Sequence, residues 1–256
     1  MRSVAVRRAV DMLAGCSLGR QGMKLLLLAA FLFSASNAAL ASQAPPREGQ
    51  YPQPPVGHDG YAFQLFLPRG YLASEGRRWP VLVFLHGSGE RGSDISRVKI
   101  HGPPKIADQR PDFPFVTVSP LLPEDQDWDT GKLGAILDHM MAHYRIDLSR
   151  IYLTGLSRGA HATWRWSAAE PARFAAIAPV SGRGDPSQAC RLKDIPIWAF
   201  HGDRDDIVTP FGSFAMVEAV RSCGGRPRLT IYPDTGHDAW TRTYDDPALY
   251  AWLLQQ

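Results

Sequence analysis

A chain of 256 residues with 45% hydrophobic content can bury one large α/β core or two small ones. Its net charge of +3 originates in residues 1–41, where five basic residues face Asp11 alone; the remainder holds 23 basic and 24 acidic residues. That balance gives no electrostatic basis for binding nucleic acid or an acidic polymer.

The first 41 residues read as an export signal. Lys24 precedes a nine-residue apolar run, Leu25 to Phe33, and Ala39-Leu40-Ala41 supplies a small-residue cleavage site before Ser42. A membrane anchor needs about 20 apolar residues, so no membrane span is expected in the mature protein, and a periplasmic or secreted location follows. Met23 is an alternative start for the chain. Residues 42–60, rich in Pro, Gly and Gln, are expected to form a disordered or loosely draped lead-in. Residues 61–256, without internal repeat or linker, are expected to form one domain and a monomer.

Within that domain the pattern alternates. Tyr61 to Pro68 suits an edge strand, and Trp79 to Gly87 is a near-continuous apolar run, as in a strand covered on both faces. Phe113 to Pro120 is another strand, and Lys132 to Tyr144 a helix with apolar spacing at Leu133, Ile136, Met140 and Met141. Strands follow at Ile151 to Leu153, Phe174 to Ser181, Ile195 to Phe200 and Arg228 to Tyr232. Helices are expected after the first of these, at Phe211 to Arg221 and at Pro247 to Leu254. Strands alternating with helices predict an α/β fold, a mostly parallel sheet with helices on both faces.

The chemistry centres on Gly155-Leu156-Ser157-Arg158-Gly159, a G-x-S-x-G turn between a strand and a helix. Such a turn lifts the Ser157 hydroxyl above the sheet and leaves the Arg158 N–H at a helix N-terminus, where developing negative charge is favoured. A second donor is available in His86-Gly87-Ser88-Gly89-Glu90-Arg91-Gly92, at the end of a buried strand. There the Ser88 N–H, or as second choice that of Gly89, can complete an oxyanion hole. The stretch lacks the G-K-[ST] ending of a phosphate-cradling loop, and His86 suits a structural hydrogen bond beneath it.

A serine hydroxyl needs an adjacent imidazole oriented by a carboxylate. His237 follows one strand, and Asp203, Asp205 and Asp206 follow another. Ser157, an aspartate and His237 occur in the chain order of α/β-hydrolases.

On the segments L-H-G-S-G-E-R-G, G-L-S-R-G and the closing G-H-D-A-W-T-R-T-Y, the chain from residue 61 resembles the α/β-hydrolase superfamily. Within it, the similarity is to secreted carboxylesterase-like members of the phospholipase/carboxylesterase, dienelactone-hydrolase-like and polyhydroxybutyrate-depolymerase-like groups. The resemblance implies an ester hydrolase acting on a small-molecule or polymer-borne ester, without cofactor. It assigns the triad acid to Asp205 from the G-D-x-D-x-x-V pattern, and a substrate-side position to Trp128. Trp240 either walls the site or holds its loop. Relatives often carry Met after the serine and Gly-Tyr further on, where this chain has Arg158, Ala160 and His161. A lid usually inserts after the strand ending near Ser181; only residues 182–194 are available, so an open site is expected. A prolyl-oligopeptidase-type peptidase and a non-catalytic binding module are the alternative readings.

Other groups read as structural. His139 and His143 sit four apart on a helix without an acidic or Cys partner at ligand spacing, so no metal is expected. Trp164 and Trp166 belong to the core, and Arg183 is solvated. Cys190 lies before the strand starting at Ile195, and Cys223 just after the helix that returns along the sheet to Arg221. Both fall on one sheet edge, within reach of a disulfide.

Overall fold

The computed structural model describes residues 45–256, so the expected signal segment lies outside the described residues. Residues 47–256 form a compact unit. Its elements, in order, are β1 (Gly49–Gln53), β2 (Phe63–Leu67), β3 (Trp79–Leu85), α1 (Gly102–Gln109), β4 (Val116–Pro120), α2 (Thr130–His143), β5 (Ile146–Leu156) and α3 (Arg158–Ala169). After them come β6 (Ala176–Val180), a 3-10 helix (Pro186–Leu192), β7 (Trp198–Gly202), α4 (Phe211–Ser222), β8 (Arg228–Tyr232), α5 (Trp240–Asp245) and α6 (Pro247–Leu253). The eight strands make one sheet in the order β1-β2-β4-β3-β5-β6-β7-β8. The pairs β1–β2 and β2–β4 are antiparallel and the others parallel.

Strand alternation divides the core in two. Val81, Val83 and Leu85 of β3 pack on one face with Leu133 and Ile136 of α2, Trp164 and Trp166 of α3, and Val217 of α4. Leu82 and Phe84 point to the other, against Ala107 of α1, Tyr244 of α5 and Leu249 and Leu253 of α6. Both faces of β3 are therefore apolar, which is why its sequence is an unbroken hydrophobic run.

The first strands differ from expectation. Residues 49–53 of the expected lead-in pair with β2, Gly49 opposite Leu67 and Gln53 opposite Phe63. Tyr61 to Pro68 is consequently an inner strand, buried at all five positions of β2, and β1 is the edge. Pro52 is tolerated in β1 because an edge strand leaves one side unpaired. On α2, Leu133, Ile136, Leu137 and Met140 are buried while Met141 is exposed.

Cys190 of the 3-10 helix and Cys223 at the end of α4 form a disulfide, with Cα atoms 5.0 Å apart. It ties the segment between β6 and β7 to the helix that follows β7. Closing a loop of 33 residues is worth on the order of 3–4 kcal/mol in the chain-entropy model. Titration of the unfolded protein should accordingly gain two thiols on reduction, and C190S/C223S should melt below the oxidised protein. Two additional thiols already reactive before reduction would contradict the bridge.

Candidate active site

Ser157 sits between β5 and α3 with φ 51° and ψ −116°. A non-glycine residue at positive φ is strained by roughly 1–3 kcal/mol, and the surroundings enforce it. The Ser157 N–H donates to Val180 O on β6 at 2.9 Å, while the Ser157 carbonyl accepts from Ala160 N–H and His161 N–H. The flanking glycines are required by close approach. A Cβ on Gly159 would lie 1.9 Å from Leu85 O, and one on Gly155 2.6 Å from the Gly159 carbonyl. The helix start is thus pressed directly on the end of β3.

His237, on the loop after β8, places Nε2 2.9 Å from Ser157 Oγ and Nδ1 2.7 Å from Asp205 Oδ2. With Nδ1–H donating to the carboxylate, Nε2 is free to accept the serine proton. Asp205 is buried on the loop after β7, its Oδ1 accepting from Ile207 N–H at 3.0 Å and Val208 N–H at 2.9 Å. Burial alone would push this carboxyl up, but the bonds from His237, Val208 and Ile207 outweigh it and hold it below the usual aspartate range. The two loops are packed backbone to backbone, since a Cβ on Gly202 would come within 2.2 Å of Gly236 O. Asp203 has a different task, accepting from Thr235 N–H at 3.1 Å, and Asp206 is exposed.

The other expected residues separate. Gly87 passes over the elbow, where a Cβ would sit 3.4 Å from Ser157 Cβ. Ser88 is exposed in the cleft, and its hydroxyl accepts from Arg158 Nε at 2.9 Å. The Arg158 guanidinium also reaches Asp127 at 3.3 Å, so the residue after Ser157 ties three loops together. Gly89 turns its carbonyl to Arg97. The loop is anchored below by His86, whose Nε2 accepts from Leu122 N–H at 3.0 Å and whose Nδ1 donates to Gly87 O at 2.7 Å. Glu90 also holds it, accepting from Gly87 N–H at 2.9 Å.

Trp128 is not on the substrate side. It is buried, edge-on to Tyr61 and His86, and its neighbour Asp127 faces the cleft instead. Trp240 stands edge-on to His237, ring centroids 5.1 Å apart, and braces the imidazole. His139 and His143 stack on each other along α2.

His201, to which the sequence pattern assigns no role, joins the group around Asp205. This buried residue of β7 places Nε2 3.0 Å from Asp205 Oδ2 and 2.7 Å from Val208 O, with Ser213 Oγ 2.7 Å from Nδ1. A histidine ending a buried strand four residues before the candidate acid was the available signal.

Ser157 opens into a cleft of about 850 Å³ between α3, the 3-10 helix and α4. Trp164, Ala168, Met216 and Val208 contribute apolar surface, and charged groups line its walls.

A mostly parallel eight-stranded sheet, with serine, carboxylate and imidazole on loops after β5, β7 and β8, defines an α/β-hydrolase. The sequence profile of the phospholipase/carboxylesterase family matches residues 112–248, over half of the chain, and the chain belongs to that family. It is 34% identical over 125 residues to the bifunctional acetylxylan esterase/xylanase XynS20E of Neocallimastix patriciarum, across 48% of this chain and 18% of that protein. A crystal structure of a thermostable esterase superposes with TM-score 0.68 at 30% identity, covering 81% of this chain and 62% of the other. A ferulic acid esterase structure shares the fold at TM-score 0.62 and 17% identity, covering 81% and 97%. The matched parts of the first two relatives are thus less than two thirds of their length.

Two outcomes follow from this geometry. Gly159→Ala should cost more than about 4 kcal/mol, because the added methyl meets backbone rather than a movable side chain; an urea midpoint close to wild type would contradict the packing. The His86 imidazole is held down at about 4 by burial, against 6.5 in the unfolded chain. Between those values the unfolded chain takes up a proton that the folded one refuses. Stability should therefore fall as pH drops below 6.5, by about 3 kcal/mol at pH 4 from this group alone. Urea midpoints that stay level from pH 7 to 4.5 would contradict it.

Proposed function

We propose that this protein is an exported serine esterase that cleaves carboxylic esters through an acyl-enzyme. The observation that carries the reading is the continuous series Ser157 Oγ–His237 Nε2, His237 Nδ1–Asp205 Oδ2, at 2.9 and 2.7 Å. As Ser157 Oγ bonds to the ester carbonyl carbon, its proton passes to His237 Nε2 and the carbonyl electron pair moves to oxygen. Backbone N–H groups of Arg158 and Ser88 are assigned to that oxyanion, each donor worth roughly 2.7–4 kcal/mol. Asp205, kept ionised by its hydrogen bonds, stabilises the imidazolium. Collapse breaks the bond to the alkoxy oxygen, which leaves as alcohol with the His237 proton. Water then repeats the sequence on the acyl-enzyme and releases the acid.

Esterase relatives support ester over peptide bonds, and the alcohol-side material is either a small molecule or a polymer. Export rests on the signal-like segment 1–41 together with the disulfide. Among the described residues no helix is long and apolar enough to cross a membrane.

A fluorophosphonate probe should label the wild type at Ser157, and Ser157→Ala should lose labelling and at least roughly 10⁴-fold of p-nitrophenyl ester hydrolysis. Asp205→Asn should lower kcat far more than Asp203→Asn or Asp206→Asn. A binding protein without catalysis would fail the first test, and greater damage from Asp206→Asn would reassign the acid.

A further inference from the structure

The cleft beside Ser157 carries charge that the triad does not use. Arg158, Arg165, Arg183 and Arg191 line it against only two carboxylates, Asp127 and Asp185. Asp127 is shared by two guanidinium groups, Arg158 at 3.3 Å and Arg165 at 3.7 Å, so one positive charge of that trio is left over. Asp185 accepts from Ser187 N–H at 2.9 Å and caps the 3-10 helix. Among the described residues, Arg183 and Arg191 have no carboxylate within 4.0 Å. The lining is formally +2, in a chain whose residues after 41 balance to −1.

Three observations separate this wall from ordinary solvated surface charge. The backbone carrying Arg183 is fixed on both sides. A Cβ on Gly182 would lie 2.4 Å from Ala160 Cβ, one on Gly184 2.8 Å from Met216 Sδ, and one on Gly212 2.5 Å from Arg183 Cβ. Arg191 follows Cys190, which the disulfide pins to the end of α4. The cleft also sets an apolar lining of Trp164, Ala168 and Met216 beside the exposed Arg183 and Arg191, so a carbon skeleton can lie on the one while an attached anion meets the other. Finally, His161 lines the same cleft with a buried Nε2 that has no hydrogen-bond partner, and burial followed by the charge of Arg183 holds its ring down at about 4. A neutral imidazole can offer that nitrogen as a donor to an anion.

We propose that this cleft selects esters bearing a carboxylate remote from the scissile bond, with the carboxylate held by Arg183 and Arg191 and the intervening carbon skeleton on the apolar lining. A guanidinium fork matches a planar carboxylate and forms stronger contacts than neutral donors do. The inference rests on the esterase reading above and gives it a substrate class.

Matched ester pairs test it, each corrected for spontaneous hydrolysis. On the acyl side, p-nitrophenyl octanoate is compared with the mono-p-nitrophenyl ester of suberic acid, the same chain ending in carboxylate. On the alcohol side, phenyl acetate is compared with 4-acetoxybenzoate. The readout is the anionic-to-neutral ratio of kcat/KM. It should exceed one in at least one pair, which also tells which side of the ester carries the charge. It should fall about tenfold in R183Q/R191Q, recover in part in R183K/R191K, and fall in wild type as salt rises from about 50 to about 500 mM. A ratio at or below one in both pairs, or a ratio that R183Q/R191Q leaves unchanged, would overturn the inference while leaving the esterase reading intact. No turnover of any ester together with no fluorophosphonate labelling would overturn both.

Discussion

The Asp205 carboxylate is the constraint on which the rest of the site depends. A buried charge is tolerated only when its oxygens are paired, and here both are. Oδ1 accepts two backbone N–H groups of its own loop, and Oδ2 faces His237 and His201. Each contact comes from a different structural commitment. The backbone donors exist because Ile207 and Val208 curl around the carboxylate. His201 is available because β7 ends there, and His237 because the loop after β8 lies against Gly202. Removing any one leaves the charge less compensated, so the ring of His237 is oriented by the same balance that keeps Asp205 ionised.

The parts of this arrangement that were legible in the sequence are the local ones. Gly155 and Gly159 announce the elbow because both must lack a Cβ, and the collisions with Leu85 O and the Gly159 carbonyl explain why. The strand-helix alternation was legible for a related reason: β3 reads as unbroken apolar sequence because both its faces are covered. The candidate acid was not legible by chemistry, since three aspartates stand within four residues. The family pattern pointed to Asp205, and the tertiary contacts give the physical difference: Asp205 is bound to His237, whereas Asp203 secures Thr235.

Orientation rather than composition decides the positions that the sequence left hidden. Trp128 lies in the loop expected near the cleft, yet Asp127 faces out and Trp128 faces the core, a difference of one residue. Pro-rich sequence concealed β1 because proline is excluded from central strands but not from an edge. Arg183 is indeed exposed. Its convergence with Arg191, and with arginines of α3, depends on how three separate segments pack, which no local pattern encodes.

The segment between β6 and β7 shows how a short connection can serve where a lid would otherwise stand. Residues 182–194 are too few to bury a core of their own, so external attachments hold them. Gly182 and Gly184 let the chain settle against Ala160 and Met216, Asp185 caps the 3-10 helix, and Cys190 bonds to Cys223. Such fastening leaves little freedom to close over a substrate, and the cleft beside Ser157 remains open. An open cleft with fixed walls cannot gain selectivity by enclosing its ligand. Discrimination must come from groups already in position before binding, whose ordering entropy was lost on folding rather than at encounter. That requirement gives physical meaning to the fastening itself: it fixes the backbone from which Arg183 and Arg191 reach the cleft beside Ser157.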